Sequence, residues 1–516
     1  MTEPLESGDA AISFIAPAKP IPGLDPDAYV RFFHTQITRA PDAPACEPAC
    51  ESVCEKRDRA ADALLFKRTT RVNALACDPD ANAEAERIAS ALEDGSEFLG
   101  VAGAGLMGVS IAASFIAARV RVLVYDPVDA ALATLRERLR RELALLRVAL
   151  ERNLPDPDAE SAALDELLDS RLSATNAAPR LAEAAVVVES IPEKAKLKAK
   201  FYRDLDAAAR RPIFLMTNTS SLRIDELSQS LAEDSDGRLT SRARFVGFHF
   251  FHPAVKRALV EIAVGERSCA SALALASRLA RIISKTPLVV SDAPGFLVNR
   301  LLQAYLNEIL ALLDEKVPIE RLERLAERIG MERPPLRVLD EIGLDVSLRS
   351  GWSFLKAFPD RTHASRALET LCRVGRLGRK TRLGFYRYET SEPWREDATL
   401  DLDQAKLAEL SESRDSGSSR DSSGYSDEAL AARIAIAVFF EAARLVEEGV
   451  VGSLAEADAG STLALGFPRA KGGACYWATA SGLDRVITES RRWSFLGSRF
   501  VPPELVRALA EQERGR

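Results

Sequence analysis

Residues 98–108 read FLGVAGAGLMG, an apolar strand running into a glycine turn. Gly103, Gly105 and Gly108 are spaced as G-x-G-x-x-G. A helix-forming run, SIAASFIAA, comes next, and a second apolar strand, VRVLVYD, ends at Asp126. In such a unit the first glycine permits the tight turn and the second lets the backbone approach a pyrophosphate. The third lets the helix pack close on the strand, so that the helix N-terminus faces the anion. An acid at the end of the second strand bonds a ribose diol and repels a 2′-phosphate. Strand, turn, helix, strand and acid in this order predict a doubly wound parallel sheet that binds NAD.

Working outward, AAVVVESIPEKAKLKAKF (184–201) reads as a buried strand and a helix, and RPIFLMTNTSSL (211–222) as a strand ending in amide and hydroxyl groups. Ligands of open α/β sheets bind at the carboxyl ends of strands, so Asn218, Thr219 and Ser220 are expected to face a cofactor cleft. The next strand, ARFVGFHFFHP (243–253), brings two of the chain's four histidines, His249 and His252. Glu261 follows His249 by twelve residues, inside the apolar run ALVEIAV. Oxidising a secondary alcohol removes a hydride from carbon and a proton from oxygen. A histidine of near-neutral pKa suits the proton, and a carboxylate on its far nitrogen fixes the tautomer. A charged residue in an apolar run usually has a partner. No metal is expected from the two histidines, because residues three apart on a strand point to opposite faces and no third ligand is evident. Blander readings stand beside these. Ser220 can cap the helix that SSLRIDEL begins, and Asn299 can be an ordinary helical polar residue. Arg136, Arg138, Arg140, Arg141 and Arg147 can grip phosphates or form a solvated helix face.

The totals fit a globular protein: 516 residues, 47% hydrophobic and 28% charged. A net charge of −7 gives no general attraction to nucleic acid or anionic membrane. No apolar run reaches the length of a membrane span. The acidic start, MTEPLESGDA, lacks a signal-peptide pattern, so the expected compartment is the cytoplasm. Seven cysteines do not suggest a disulfide framework. The prolines around CEPACESVC (Cys46, Cys50, Cys54) argue for a loose segment rather than a metal site.

The expected organisation is an irregular leader with some helix over 1–96 and a nucleotide-binding domain over 97–292. A helical domain follows over 293–390, then a flexible linker over 391–426 built around SESRDSGSSRDSSGYSDE, and a second helical domain over 427–516. The two helical domains read as a repeat. Glu308 and Glu441 are each followed by an acidic pair six and seven residues later, and each copy runs on to a GLD, at 343–345 and 482–484.

NTSSL, HFF-x-P, LVE and DAPGFLVNRLL occur in the order of the 3-hydroxyacyl-CoA dehydrogenase family, which the chain resembles over about 97–390. GRLGRKTRLGFYRY, DEIGLD and ALGFPRAKGG are similar to the dehydrogenase half of the multifunctional fatty-acid oxidation protein. That half carries two successive helical C-terminal domains. The resemblance therefore implies a Rossmann-type sheet followed by two all-α domains, with 427–516 docked on 293–390. Its N-terminal hydratase half needs more than the 96 leading residues, which read as a shortened or unrelated leader.

By motif, the resemblance makes His249 the catalytic base and Glu261 the carboxylate that orients it. Ser220 becomes the contact to substrate and nicotinamide, and Asn299 the residue polarising the thioester side. Met107, Asp126, Glu193 and Lys198, with the three glycines, fall on NAD contacts, and Trp477 lies near a substrate contact that is usually tyrosine, with Tyr476 adjacent; either can be a core residue instead. His252 stands where the family has an asparagine that contacts the cofactor. The added length around SDGRLTSRAR reads as a surface loop. The implied reaction is NAD-dependent oxidation of (S)-3-hydroxyacyl-CoA in β-oxidation. An acyl-CoA is the implied substrate, a thiolase partner is left open, and so is the choice of monomer or homodimer. Two other readings remain: a dehydrogenase of free 3-hydroxy acids, and a noncatalytic cofactor- or acyl-CoA-binding protein retaining the fold.

Overall fold

Four short strands carry almost nothing but apolar side chains: β1 (Leu99–Ala102), β2 (Val122–Tyr125), β4 (Val186–Glu189) and β5 (Phe214–Thr217). Strands covered by helices on both faces read as continuous apolar runs rather than alternating ones. With β3 (Leu172–Thr175) and β6 (Phe245–Gly247) they form one parallel sheet in the order β3-β2-β1-β4-β5-β6. That is the strand order of dinucleotide-binding sheets, with its reversal between β1 and β4. Their register aligns Tyr125, Ala102, Glu189, Thr217 and Gly247 in one row at the carboxyl end.

The computed structural model describes residues 79–149, 157–231, 241–331, 333–391, 398–403, 406–407, 422–467 and 472–515. They divide into two compact units. The nucleotide unit spans 79–296 with 449–452, and the helical unit takes 297–448 and 453–515. Cys46, Cys50, Cys54 and most of the SDGRLTSRAR loop lie outside the described residues.

In the nucleotide unit, helix α1 (Pro79–Glu93) buries Ala89 and Leu92, and its Glu84 pairs with Arg244 at 2.9 Å. The unit thus takes in residues that the sequence alone places with the leader. Helix α2 (Leu106–Ala117) packs on β1 and β2, α3 (Leu135–Ala149) packs on α2, and α4 (Ala195–Ala208) reaches β4 through Tyr202, whose hydroxyl bonds Glu189. The arginines of α3 are largely neutralised: Arg136 pairs with Asp165 and Asp169, Arg140 with Asp165 and Arg141 with Glu137. Beyond β6 the chain forms a second, three-stranded sheet. Its β7 (His249–Phe250) pairs antiparallel with β8 (Leu259–Val264), which pairs parallel with β9 (Thr286–Ser291).

The helical unit is built on α5 (Val298–Asp314) and α6 (Asp427–Glu447). Ser426 caps α6 by accepting from Ala429 N–H, and acids fill its first turn. Apolar residues surround α6 on every side, and 17 of its residues are buried, which marks it as the unit's central helix. The contacts between α5 and α6 are reciprocal. Arg433 bonds Glu308 at 2.8 Å and Glu315 at 2.6 Å, while Arg300 bonds Glu441 at 2.7 Å and also Glu448. Arg300 and Arg433, Glu308 and Glu441, and Glu315 and Glu448 are each 133 positions apart. Residue i of one copy meets residue j of the other and the reverse, the signature of an isologous interface, here within one chain. Part of the 391–426 segment is ordered against this unit. Ala398–Leu400 pairs antiparallel with Tyr386–Tyr388, and buried Ser422 donates to Glu315 Oε2 at 2.5 Å.

Two further carboxylates, half-buried Glu323 and buried Asp458, each hold the start of a helix. Glu323 accepts from Leu336 N–H at the start of helix Pro335–Ile342; Asp458 accepts from Cys475 and Tyr476 N–H at the start of helix Ala474–Ser481. Burial outweighs those bonds and pushes each carboxyl up to about 7. A carboxyl with a folded pKa above its unfolded value binds more protons folded than unfolded between about pH 4 and 7. Stability therefore falls as pH rises through that window and is flat above it. We expect Asp458→Asn to remove part of this slope, up to about 1.4 kcal/mol per pH unit. Denaturant unfolding at pH 4.5, 5.5, 6.5 and 7.5 measures it, and parallel pH curves for the two proteins would contradict the assignment.

Candidate active site

The glycine turn has the geometry that its spacing predicts. Gly103 sits at φ +104°, and a Cβ there would meet Ser190 O at 2.6 Å. A Cβ on Gly108 would lie 1.8 Å from Gly103 O, so α2 can approach β1 this closely only with glycine. A Cβ on Gly105 would meet nothing within 4 Å. The turn thus leaves open space where a pyrophosphate would approach, at the N-terminus of a twelve-residue helix. Met107 is half-buried against the core at that helix start. Asp126 Oδ2 accepts Ala104 N–H at 2.8 Å and Oδ1 accepts Val128 N–H at 2.9 Å, which fixes the carboxylate beside the turn. Arg138 donates to Ala104 O at 2.7 Å, so this arginine of α3 braces the same turn. These residues fit a dinucleotide.

At the ends of β4 and β5 a polar network holds the loop that carries Ser220. Glu193 Oε1 accepts from Thr219 Oγ1 at 2.5 Å, Ser220 N–H at 3.0 Å and Ser221 N–H at 3.2 Å. Burial raises the Glu193 pKa, but the Lys198 ammonium and the Thr219 and Ser220 bonds outweigh it and hold the carboxyl below its ordinary range. Lys198 is 1% exposed and bonds Glu189 Oε1 at 2.6 Å, with Glu193 Oε2 at 3.3 Å. Glu189 also accepts from Thr217 Oγ1 at 2.8 Å and from the Tyr202 hydroxyl. Sequence reasoning missed Glu189. Its signal was present: an acid ending an otherwise apolar strand, nine residues before a lysine. Asn218 Oδ1 accepts Phe250 N–H at 2.8 Å and ties β5 to the strand that carries His249.

His249 and Glu261 are direct cross-strand partners in the β7–β8 pair. His249 Nδ1 lies 2.7 Å from Glu261 Oε2, with Glu261 fully buried and His249 5% exposed. Phe251 and Phe296 flank the imidazole, at 4.6 and 5.9 Å between ring centroids. With Nδ1 engaged, Nε2 is the nitrogen left to take a proton. His252 is half-buried just past the strand. Beneath the turn between β7 and β8, buried Lys285 donates to Ala254 O at 2.5 Å and Arg257 O at 2.7 Å. Burial pushes this ammonium down to about 8. No linear pattern singles it out. Among the described residues no group of three or more His, Cys, Asp or Glu side chains could hold a metal ion.

Asn299 and Trp477 belong to the helical unit. Asn299 is half-buried as the second residue of α5, and Trp477 is buried with Tyr476 in helix Ala474–Ser481. Among the described residues no helix is long and apolar enough to cross a membrane.

Residues 98–293 match the family model "3-hydroxyacyl-CoA dehydrogenase, NAD binding domain", and residues 295–388 match "3-hydroxyacyl-CoA dehydrogenase, C-terminal domain". The chain is 28% identical over 419 residues to the fatty acid oxidation complex subunit alpha of Acinetobacter baylyi, covering 80% of this chain and 55% of that one. It is 30% identical over 331 residues to the subunit of the same name from Psychrobacter cryohalolentis, covering 64% and 44%. The chain thus spans about half the length of these relatives. Among solved structures, (S)-3-hydroxybutyryl-CoA dehydrogenase from Ralstonia eutropha matches with TM-score 0.50 and 28% identity, over 57% of this chain and 99% of that one. The 3-hydroxybutyryl-CoA dehydrogenase of Escherichia coli shares the fold, with TM-score 0.65 and 23% identity over 81% and 99%.

Proposed function

Because the chain belongs to the 3-hydroxyacyl-CoA dehydrogenase family, we propose that it oxidises (S)-3-hydroxyacyl-CoA thioesters to 3-oxoacyl-CoA with NAD. The observation that carries this reading is the buried His249–Glu261 pair in the unit that holds the glycine turn. In the forward direction His249 Nε2 takes the proton of the C3 hydroxyl as the carbonyl forms. Bound NAD supplies the acceptor for the hydride that leaves C3. Glu261 holds the imidazole tautomer and stabilises the imidazolium, the orienting role a carboxylate has in triads. Ser220, fixed through its N–H by Glu193, is assigned to the substrate hydroxyl and nicotinamide side, and Asn299 to the thioester carbonyl. The 3-oxoacyl thioester is a substrate for thiolytic cleavage, so a thiolase is the proposed partner, within cytoplasmic β-oxidation. The deciding experiment follows NADH formation over 3-hydroxyacyl-CoA substrates of short to long chain, beside the free 3-hydroxy acids. Turnover confined to free acids, or none with the cofactor still bound, overturns the proposal.

Cofactor choice is a second expectation. A 2′-phosphate beside the Asp126 carboxylate would meet a like charge, which costs several kcal/mol. NAD should therefore be preferred over NADP, and Asp126→Ser should narrow the kcat/KM ratio by about tenfold or more. Equal use of both cofactors by the native protein would remove Asp126 from the ribose.

A further inference from the structure

The parallel ladder between β5 and β6 ends at the pair Thr217 and Gly247. One more bond follows it, from Phe248 N–H to Thr217 O at 2.7 Å. Backbone groups alternate along a strand, so the next donor on that edge is Phe250 N–H. A longer β5 would offer it Thr219 O. The chain instead leaves the sheet after Thr217, drawn to Glu193 by Thr219 Oγ1 at 2.5 Å and Ser220 N–H at 3.0 Å. The Asn218 side chain takes the vacant acceptor role. Its Oδ1 accepts Phe250 N–H at 2.8 Å. Phe250 is 3% exposed, so its N–H depends on a protein acceptor.

Asn218 is itself held in place. Its N–H donates to Glu189 O at 2.8 Å, and its Nδ2 lies 3.4 Å from Ser190 Oγ. Only the oxygen of an amide side chain can accept an N–H, which sets the orientation of the group.

The strand that depends on this bond is short. β7 has two residues and meets β8 at two register pairs, His249 with Glu261 and Phe250 with Val260. His249 thus sits between two anchors on β5 and its end: Phe248 N–H on Thr217 O, and Phe250 N–H on Asn218 Oδ1. The first runs from main chain to main chain. The second is made by a side chain, and so it is open to substitution. β5 also belongs to the sheet whose β1 enters the glycine turn. Asn218 therefore links the cofactor sheet to the second sheet beside the His249–Glu261 pair.

We propose that Asn218 is a positioning residue for the dehydrogenation: through Phe250 N–H its side-chain oxygen fixes the backbone of His249, so that the imidazole meets Glu261 with one nitrogen and the substrate hydroxyl with the other. The proposal rests on His249 as the base of the reaction proposed above. Asn218 takes no proton in this role; it acts by placement, and a base displaced by about 1 Å can lose about 100-fold in rate.

Two substitutions separate the acceptor from the rest of the side chain. Asn218→Leu keeps the size and removes the acceptor. Asn218→Asp keeps an acceptor for Phe250 N–H and removes the Nδ2 donor. In Asn218→Leu kcat should fall by about 10–100-fold while NADH affinity stays close to native. Asn218→Asp should recover most of that loss. A second readout needs no turnover: the Nδ1–H proton shared with Glu261 gives a downfield proton resonance, assigned by its loss in His249→Gln. It should weaken or move upfield in Asn218→Leu and persist in Asn218→Asp. If Asn218→Leu does not fold, Asn218→Ala is read in the same way. Native kcat with an unchanged downfield resonance in Asn218→Leu overturns the proposal. So does an equal loss in Asn218→Asp, which would move the role to the Ser190 bond, or a loss confined to NADH affinity, which would make Asn218 a cofactor contact. Absence of NADH formation by the native protein on every 3-hydroxyacyl-CoA would fail the functional reading instead, and the resonance would then judge Asn218 alone.

Discussion

In His249→Gln, kcat falls by about 10²–10⁴, the usual cost of losing a general base, while NADH binds nearly as before. Glutamine keeps a polar group of similar reach but has no basic nitrogen near neutral pH. The cofactor turn is built from Gly103, Gly105, Gly108 and Asp126, and none of them bonds His249. The loss should therefore appear in the chemical step and leave affinity for the dinucleotide alone. Glu261→Gln provides the companion measurement. It retains a hydrogen-bonding group beside Nδ1 but withdraws the charge that stabilises an imidazolium, so the pH–rate profile should move along with kcat. Stopped-flow NADH formation and fluorescence titration of NADH separate the two effects. Near-native kcat in His249→Gln, with a large loss in His252→Gln, would assign the base to the other histidine.

The nucleotide unit was legible because its constraints are local. A turn at φ +104° and a helix start where a Cβ on Gly108 would lie 1.8 Å from Gly103 O admit little but glycine, so the spacing carries the geometry. The His249–Glu261 pair was legible for a related reason. Twelve residues separate them, and an antiparallel return of that length places them opposite each other in register. Lys198 was harder. The resemblance places it on a cofactor contact. Only the fold reveals that the Glu189 and Glu193 carboxylates both pair with its ammonium. Glu193 likewise anchors the Thr219–Ser221 loop through three N–H or O–H donors that no linear pattern marks. Helix Pro79–Glu93 follows a proline- and cysteine-rich stretch, and its burial depends on Ala270–Ile282, nearly two hundred residues away. In the helical unit the acidic halves of the repeat were visible, because Glu308 and Glu441 each precede an acidic pair. Their arginine partners were not, since each lies on the other copy, 125 to 148 residues away.

That crossed arrangement sets the stability of the helical unit, and Arg433→Met tests it. Arg433 and Glu308 are both fully buried, and Glu315 is nearly so. Two charges withdrawn from water gain little over a well-packed apolar pair, but removing one partner strands the other. In Arg433→Met the Glu308 carboxylate keeps Arg499 and a long bond from Asn307, and the Glu315 carboxylate keeps the Ser422 hydroxyl. We expect the unfolding free energy to fall by about 3–5 kcal/mol, the cost of breaking a buried pair from one side. Arg328→Met is the control. Its side chain is 41% exposed and meets Asp427 and Glu428 at 3.3 Å, a surface arrangement worth about 0–1 kcal/mol. Arg300→Met should cost less than Arg433→Met, because Arg361 still pairs with both Glu441 and Glu448 and Glu448 is 37% exposed. Adding Glu308→Gln to Arg433→Met should recover part of the loss, since a neutral amide costs less to bury than a lone carboxylate. Guanidinium unfolding followed by circular dichroism gives all of these values. If Arg433→Met costs no more than Arg328→Met, the crossed ion pairs do not hold the two repeats together. The apolar contacts between α5 and α6 would then carry the seam alone.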